Sequence, residues 1–241
     1  YFWLYAWGAV TLFSVFMAMF YSQLIVPLFN KQTPLQEGSL RNKIQAFAGK
    51  VGFKLDNIYV IDGSKRSTKA NAYFTGLGPK KRVVLYDTLI DELTEEEIVA
   101  VLAHEVGHYK KCRTLRSMVV SVIQMGVLFW LFSLCVNNVA LSEALGGDRA
   151  YFQMGLIAFA ILYSPVNLIL GVGMNVWSRN NEYEADAFAA RYYEGDYLVS
   201  GLKKISVKSL SNLTPHPLYE YIYYSHPSLL KRIDAIKRIH E

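Results

Sequence analysis

Val101 to Lys111, with the sequence VLAHEVGHYKK, is the segment that decides the fold, because it contains the pattern H-E-x-x-H at His104, Glu105 and His108. Residues four apart on an α-helix lie on one face, so both imidazoles face the same side with a carboxylate beside them. Neutral imidazoles bind Zn²⁺, and such a glutamate can take a proton from the water that the ion activates. The pattern predicts a catalytic site with one Zn²⁺ per chain. The alternative is an ordinary amphipathic helix with two solvated histidines.

Three long apolar segments surround this motif. Residues 1–29, 117–139 and 151–177 contain no Lys, Arg, Asp or Glu, in a chain of 241 residues that is 52% hydrophobic. An apolar stretch of about 20 residues is long enough to cross a bilayer as a helix. Residues 1–29 have no basic n-region and no Ala-x-Ala cleavage site, which excludes a secretory signal. We therefore predict a multi-span membrane protein embedded in a lipid bilayer.

The positive charges lie at one set of span ends. The connection 140–150 contains no Lys or Arg before Arg149, whereas the opposite ends carry Lys31, Arg41, Lys43, Lys110, Lys111, Arg113, Arg116 and Arg179. Basic residues flank the cytoplasmic ends of membrane helices, so the zinc motif faces the cytoplasm and 140–150 forms an outer loop. Because the net charge of +5 follows the span ends, it does not indicate a nucleic-acid partner.

These observations divide the chain into six parts. Transmembrane helices occupy 1–29, 117–139 and 151–177. The outer loop is 140–150, and two cytoplasmic protease parts occupy 30–116 and 178–241. The fold class is a mainly α-helical multi-span membrane protein with a small β-sheet in the cytoplasmic domain that carries the zinc motif.

The first cytoplasmic part contains both helix and strand patterns. Leu35 to Ala48 has the spacing of an amphipathic helix. β-Branched and aromatic residues predict three strands, at Ile58 to Ile61, Asn71 to Phe74 and Arg82 to Tyr86. Thr94 followed by Glu97 predicts a capping box that begins the motif helix. Nothing after Lys111 breaks the helical pattern, so we expect the motif helix to continue into the second span.

The later segments predict helices as well. Pro165 is a possible kink in the third span, which we expect to end at Ser178 and Arg179. A new helix then carries the next acidic residues and ends at Gly195. Three further segments follow, a helix at 198–210, an aromatic cluster at 219–224 and a basic amphipathic helix at 228–239.

A catalytic zinc needs a third protein ligand beyond the two histidines. Glu182 is placed for this role because it follows the span that returns the chain to the cytoplasmic side. Glu184 is a rival on spacing alone, and all these acids could be surface residues. Asp186 lies one turn beyond Glu182, where it can hold the second ring nitrogen of a motif histidine.

The motifs together resemble the type I CaaX prenyl protease family and its bacterial relatives. Residues 178–186, SRNNEYEAD, are similar to the family pattern S-R-x-x-E-x-x-A-D, and the likeness extends to GSKRS at 63–67, NAYF at 71–74, VLYDTL at 84–89 and SHP at 225–227. The resemblance implies a membrane zinc metalloendopeptidase whose helices enclose a chamber, with a cytoplasmic metalloprotease domain of the gluzincin-like kind and with Glu182 rather than Glu184 as the third ligand. It also implies several spans ahead of residue 1, so we expect an N-terminal part to be missing.

The resemblance also implies roles that spacing does not assign. Asn71, Ala72 and Tyr73 would belong to an edge strand that pairs with an extended substrate. His226 would stabilise the tetrahedral oxyanion, and Arg232 would orient the substrate or the site. The alternatives are a turn residue, a capping residue before Pro227, and a basic helix face.

The resemblance leaves three functions open. The first is C-terminal processing of a prenylated CaaX protein, by a zinc-activated water with Glu105 as general base. The second is quality control of membrane proteins, and the third is a zinc-containing membrane protein that is not a protease. The partners are a peptide or protein substrate and lipid, without nucleic acid. The chain lacks the charged insertion of animal members, which favours a bacterial inner membrane over an endoplasmic reticulum membrane.

Overall fold

Three long apolar helices form the membrane part of the chain, in a computed structural model that describes residues 1–53, 55, 57–75 and 82–239. They are α1 (Phe2–Leu24), α6 (Arg113–Val136) and α8 (Phe152–Tyr192), and each is long and apolar enough to cross a membrane. Helix α6 packs between α1 and α8. The indole nitrogen of Trp7 donates to the carbonyl of Val122 at 2.9 Å, which joins α1 to α6. The prediction of a mainly helical membrane protein is confirmed.

A small mixed sheet lies beside the polar helices. Its strands are β1 (Gln32–Pro34), β2 (Ile58–Ile61), β3 (Ala72–Thr75) and β4 (Arg82–Tyr86), in the order β1-β2-β4-β3. Strand β4 is parallel to β2 and antiparallel to β3. The sequence predicted three of these strands and missed β1, which is short and ends at a proline. Strand β3 begins one residue later than predicted.

The motif helix α5 (Glu95–Lys110) is buried along most of its length. The remaining helices are α2 (Val26–Phe29), α3 (Ser39–Lys50), α4 (Asp87–Glu92), α7 (Val139–Ala144), α9 (Gly195–Lys208), α10 (Pro217–Tyr223) and α11 (Leu229–Lys237). Of these, α3, α4 and α9 contact α5, as does α8. The predicted capping box is present at Thr94 and Glu97. The Glu97 carboxylate also accepts hydrogen bonds from Ser200 at 2.6 Å and Lys204 at 2.7 Å, so it anchors α9 on α5.

The prediction that the motif helix continues into the second span is wrong. Helix α5 ends at Lys110, and Cys112 has a φ of 53°, which lies in the left-handed region. A left-handed residue interrupts the right-handed helical path. The break lets α5 pack inside the polar domain while α6 follows the membrane helices. Tertiary packing therefore overrides a sequence that contains no helix breaker.

Helix α8 also differs from the prediction, because it runs unbroken from Phe152 to Tyr192 through Pro165 and past Ser178. The third span and the helix that carries Glu182 are one element of 41 residues. Gly195 does not end a helix but begins α9. Other boundaries move by a few residues: α3 begins at Ser39 instead of Leu35, and α11 covers most of 228–239. The outer connection contains the short helix α7.

Helices α6 and α8 approach each other closely at Gly155. A Cβ atom there would lie 2.6 Å from the Cα of Val136, whereas a Cβ at Gly171 on the same helix would meet no described atom within 4 Å. We expect Gly155→Ala to destabilise the protein by about 1–3 kcal/mol, because one of two backbones must move. Gly171→Ala should be neutral or stabilising by up to about 1 kcal/mol, because alanine favours the helix.

Thermal unfolding in one detergent, followed by circular dichroism, measures both variants. Equal midpoints for Gly155→Ala and Gly171→Ala would contradict the close approach of the two helices.

Candidate active site

The site forms where α5 packs against α8. A Cβ at Gly107 would lie 3.1 Å from the Cα of Ala185 and 3.1 Å from the Cβ of Phe188. The glycine of the motif therefore allows the two helix backbones to approach. His104 and His108 lie one turn apart on α5, and this approach brings them against the acidic residues of α8.

Three side chains converge at this contact. His104, His108 and Glu182 each offer one donor atom, and these atoms lie within 4.8 Å of one another. The Nε2 atoms of His104 and His108 are 3.5 Å and 3.2 Å from the two oxygens of Glu182. Glu182 is 1% exposed and His104 is 6% exposed. A buried carboxylate between two imidazoles is the arrangement expected around a shared cation.

The donor set fits Zn²⁺. Ligands about 2.0–2.1 Å from a tetrahedral ion lie roughly 3.3 Å apart, which is close to both imidazole–carboxylate distances. Two histidines and one glutamate are the protein ligands of one class of catalytic zinc site, and they leave one position for water or substrate. Among the described residues, this trio is the group of His, Cys, Asp and Glu that meets the geometry for a metal.

Asp186 contacts His104 at the ring nitrogen that does not face Glu182. Its Oδ1 atom lies 2.8 Å from Nδ1 of His104, which leaves Nε2 directed at Glu182. A carboxylate on the far nitrogen of a ligating histidine sets the ring orientation and raises the basicity of the ligand. Arg232 binds the same carboxylate through Nε at 2.8 Å and Nη2 at 2.6 Å. In this structure Arg232 therefore orients Asp186 and His104.

The electrostatic environment favours a cation at this position. Burial lowers the pKa of His104, but hydrogen bonds to Asp186 and Glu182 outweigh it and raise that pKa to about 9. The acidic side chains that would stabilise a protonated ring would equally stabilise a bound cation. Burial lowers the pKa of His108 below its usual value, which favours the neutral form that metals require.

Glu105 lies in a cleft beside the three donors. The cleft has a volume of about 240 Å³, and its walls come from β3, α5, α8, α9 and α11. Burial raises the pKa of the Glu105 carboxyl above its usual value, so this group is a stronger base than an exposed glutamate. His226 opens onto the same cleft from the loop before α11.

His226 approaches the trio from the outside. Its Nε2 atom lies 3.5 Å from Oε1 of Glu182, and its side chain is 60% exposed. Helices α8 and α10 hold its loop: the Arg179 guanidinium donates to the carbonyls of Glu220 at 3.2 Å and Tyr224. The Glu220 carboxylate accepts the backbone N–H of Ser228 at 2.9 Å. The loop is thus fixed on both sides of His226.

The predicted substrate strand is also at the cleft, with one difference. Asn71 and Ala72 line the cleft. The Tyr73 ring instead contacts Tyr86 on the other face of the sheet, at a centroid distance of 6.3 Å. This follows from the alternation of side chains along a strand. Strand β3 pairs with β4 on one side, and no described strand pairs with its other side.

The structure separates the two rival acids and adds a residue that the sequence did not indicate. Glu184 points outward, with its side chain 51% exposed and 3.6 Å from Lys111. Arg113, the first residue of α6, instead reaches the trio: its Nη1 lies 2.7 Å from Oε1 of Glu182. The sequence analysis counted Arg113 among the basic span ends, and its position nine residues after His104 gave no signal of this contact.

Comparisons with known proteins find matches over most of the chain. The model of peptidase family M48 matches residues 34–240, and a model described as "CAAX prenyl protease N-terminal, five membrane helices" matches residues 1–31. A CAAX prenyl protease 1 homolog of Arabidopsis thaliana is 40% identical over 234 residues, which are 97% of this chain and 55% of that protein. The corresponding homolog of Dictyostelium discoideum is 40% identical over 241 residues, and the match covers 98% of this chain and 56% of that protein.

A solved structure is similar as well. The crystal structure of S. mikatae Ste24p has a TM-score of 0.87 and 35% sequence identity, over 98% of this chain and 58% of that chain. The chain thus spans a little over half the length of the relatives that it matches. The resemblance noted in the sequence is confirmed.

Replacing the two neighbouring acids of α8 tests which one is a metal ligand. We expect Glu182→Gln to lower zinc affinity at least tenfold, since an amide is a poorer ligand than a carboxylate. The matched variant Glu184→Gln should bind one Zn²⁺ per chain like the unchanged protein, because Glu184 points outward. Zinc content after dialysis against a chelator measures both. Loss of zinc from Glu184→Gln alone would contradict the geometry.

Proposed function

We propose, on the premise that this chain belongs to peptidase family M48, that the protein is a membrane zinc metalloendopeptidase of the CaaX-processing type. The observation that carries the proposal is the convergence of His104, His108 and Glu182, together with Glu105, which lines the same cleft as His104 and Glu182. Three protein ligands and an adjacent base are what hydrolysis requires. A structural zinc site uses four protein ligands and has no need of a base.

The proposed site residues have separate tasks. His104, His108 and Glu182 hold one Zn²⁺, which lowers the pKa of water and polarises a carbonyl when bound. Asp186 keeps His104 in the tautomer that leaves Nε2 free to coordinate, and Arg232 keeps Asp186 in place. The fixed positions of these groups reduce the reorganisation needed during the reaction.

Glu105 moves the protons in this proposal. Its carboxylate takes a proton from the attacking water and passes it to the nitrogen of the departing amine. The raised pKa that burial gives this group suits both transfers, because it brings the base closer to neutral pH. His226 donates a hydrogen bond to the carbonyl oxygen as negative charge develops there. Its Nε2 atom lies 3.5 Å from Oε1 of Glu182, so the imidazole is next to the proposed metal ligands.

The substrate is proposed to bind as an extended strand along β3. Asn71 and Ala72 line the cleft and the outer side of β3 pairs with no described strand, which supports addition of a peptide strand. Tyr73 contributes through its backbone only, because its ring lies on the opposite face of the sheet. The relatives named as CAAX prenyl proteases support a prenylated C-terminal substrate.

The location follows from the charges and the relatives. The basic residues around Lys110, Lys111 and Arg113 flank the start of α6, which supports a zinc site on the cytoplasmic side. The Arabidopsis protein aligns over 234 residues that make up 97% of this chain, so it also lacks a long insertion. A missing insertion therefore does not separate bacterial from plant sources. The eukaryotic relatives support the endoplasmic reticulum membrane over a bacterial inner membrane.

Replacing the base tests the reaction. We expect Glu105→Gln to bind Zn²⁺ normally and to lower kcat about 10²–10⁴-fold, because an amide cannot accept the proton. The control is Glu95→Gln on the same helix, which removes a carboxylate that pairs with Lys43 at the far end of α5. Cleavage by Glu105→Gln at the unchanged rate, with zinc present, would contradict the proposal.

The substrate class is tested on the full-length protein in lipid. We expect cleavage of a farnesylated CaaX peptide after the modified cysteine, with kcat/KM at least tenfold above that of the same peptide without the farnesyl group. An unfolded membrane protein is the second substrate. Preference for the unfolded protein would favour quality control, and cleavage of neither substrate by the zinc-loaded protein would favour a non-proteolytic role.

A further inference from the structure

The side chain of Arg113 makes direct contact with two of the three proposed metal ligands. Its Nη1 atom lies 2.7 Å from Oε1 of Glu182, and 3.0 Å and 2.6 Å from the two ring nitrogens of His108. Since Nη1 is close to both ring nitrogens, it lies over the face of the imidazole ring. It is therefore not in the ring plane, where the lone pair of Nε2 points. Ser178 holds the other end of the guanidinium through Nη2 at 3.2 Å.

Arg113 and His226 approach the same oxygen atom of Glu182. Both approach Oε1 of Glu182, Arg113 at 2.7 Å and His226 Nε2 at 3.5 Å. The two donors are therefore within about 6 Å of each other, from the sum of the two contacts, which is close enough to bind one oxygen between them. His226 is the group proposed to stabilise the oxyanion. Arg113 adds a permanent positive charge at the same place.

The other guanidinium of the site is differently arranged. Arg232 makes two hydrogen bonds to Asp186, and its side chain is 12% exposed. It lies further from the proposed ligands, with Nη2 3.3 Å from Nδ1 of His104 and Nη1 3.7 Å from Oε2 of Glu182. The side chain of Arg113 is 23% exposed and has only the ligands and one hydroxyl as described hydrogen-bond partners. Once a metal holds Glu182 and His108, the N–H groups of Arg113 that face them are available to another acceptor.

A guanidinium beside a bound dication is electrostatically unfavourable. Like charges a few ångströms apart repel, and partial burial reduces solvent screening. Arg113 should therefore weaken metal binding, in contrast to Asp186, which should strengthen it. This points to an anion that shares the site during the reaction.

We propose that Arg113 is a further catalytic residue, which works with His226 to bind the anionic oxygen formed from the scissile carbonyl. This inference rests on the proposed proteolysis. As the water oxygen bonds to the carbonyl carbon, the π pair moves onto the carbonyl oxygen, and Glu105 takes the water proton. When the C–N bond breaks, that proton goes to the departing nitrogen. The second proton of the attacking water passes through Glu105 to the same nitrogen, so the products are a carboxylate and an ammonium group. Arg113 contacts the oxygen at both stages.

Arg113→Gln and Arg113→Lys test this role in the full-length protein, with Arg116→Gln as the matched control. Arg116 lies one turn further along α6 and is exposed. Three quantities are measured for each: the dissociation constant for Zn²⁺, kcat and KM on a CaaX peptide, and the affinity for a peptide whose scissile amide is replaced by a phosphinate. The phosphinate carries the negative charge of the tetrahedral state but is not cleaved.

Removing one oxyanion donor typically costs about 10²–10³-fold in kcat. We expect a loss of about 10²-fold in kcat and in phosphinate affinity for Arg113→Gln, with KM little changed. Its zinc affinity should be equal or stronger. Arg113→Lys should recover part of the loss, because it restores the charge without the planar geometry. Arg116→Gln should behave like the unchanged protein.

Two results would overturn the inference. A tenfold weaker zinc affinity in Arg113→Gln would show that Arg113 serves only to position the ligands. Unchanged kcat and phosphinate affinity would show that it takes no part in the reaction. These results can be distinguished from a failure of the proteolysis proposal itself. In that case the unchanged protein would bind zinc but would cleave no peptide.

Discussion

The site depends on the close approach of two helix backbones at Gly107 and Ala185. Any side chain larger than hydrogen at position 107 would crowd the backbone of α8. Without that approach, the two histidines of α5 could not reach Glu182 and Asp186, which project from α8 one turn apart. The glycine inside the motif is therefore as much a part of the site as the ligands, although it has no chemistry of its own.

Negatively and positively charged side chains are paired around the contact between α5 and α8. Two buried carboxylates, Glu182 and Asp186, face two histidines and are flanked by two guanidinium groups. Arg232 neutralises the carboxylate that orients His104 and so makes its burial tolerable. Arg113 instead contacts Glu182 and His108, two of the three proposed metal ligands. The two arginines are chemically alike, but their neighbours differ, which is why we propose different roles for them.

Helix continuity connects the site to the membrane. Helix α8 runs without a break from the apolar part of the chain to Glu182 and Asp186, so these two carboxylates are attached to a rigid element that packs against α6. Helix α6 starts at Arg113 and leaves the site in the direction of the membrane part. A movement of either span would therefore change the geometry around the trio.

The sequence by itself determined the apolar helices, strands β2 and β4, the capping box and the identity of the motif residues. These features depend on local patterns: uninterrupted apolar length, β-branched runs, and fixed spacings of three or four residues. It left Glu182 and Glu184 as rivals, because spacing along a helix does not tell which face meets a distant histidine.

Only the tertiary structure decided the contacts between segments far apart in the chain. It turned Glu182 inward and Glu184 outward, broke the helix at Cys112, kept α8 continuous past Ser178, and brought Arg113 to the ligands. These outcomes depend on how α5, α6 and α8 pack together. Packing brings together residues about 70 positions apart, and no local pattern contains that information.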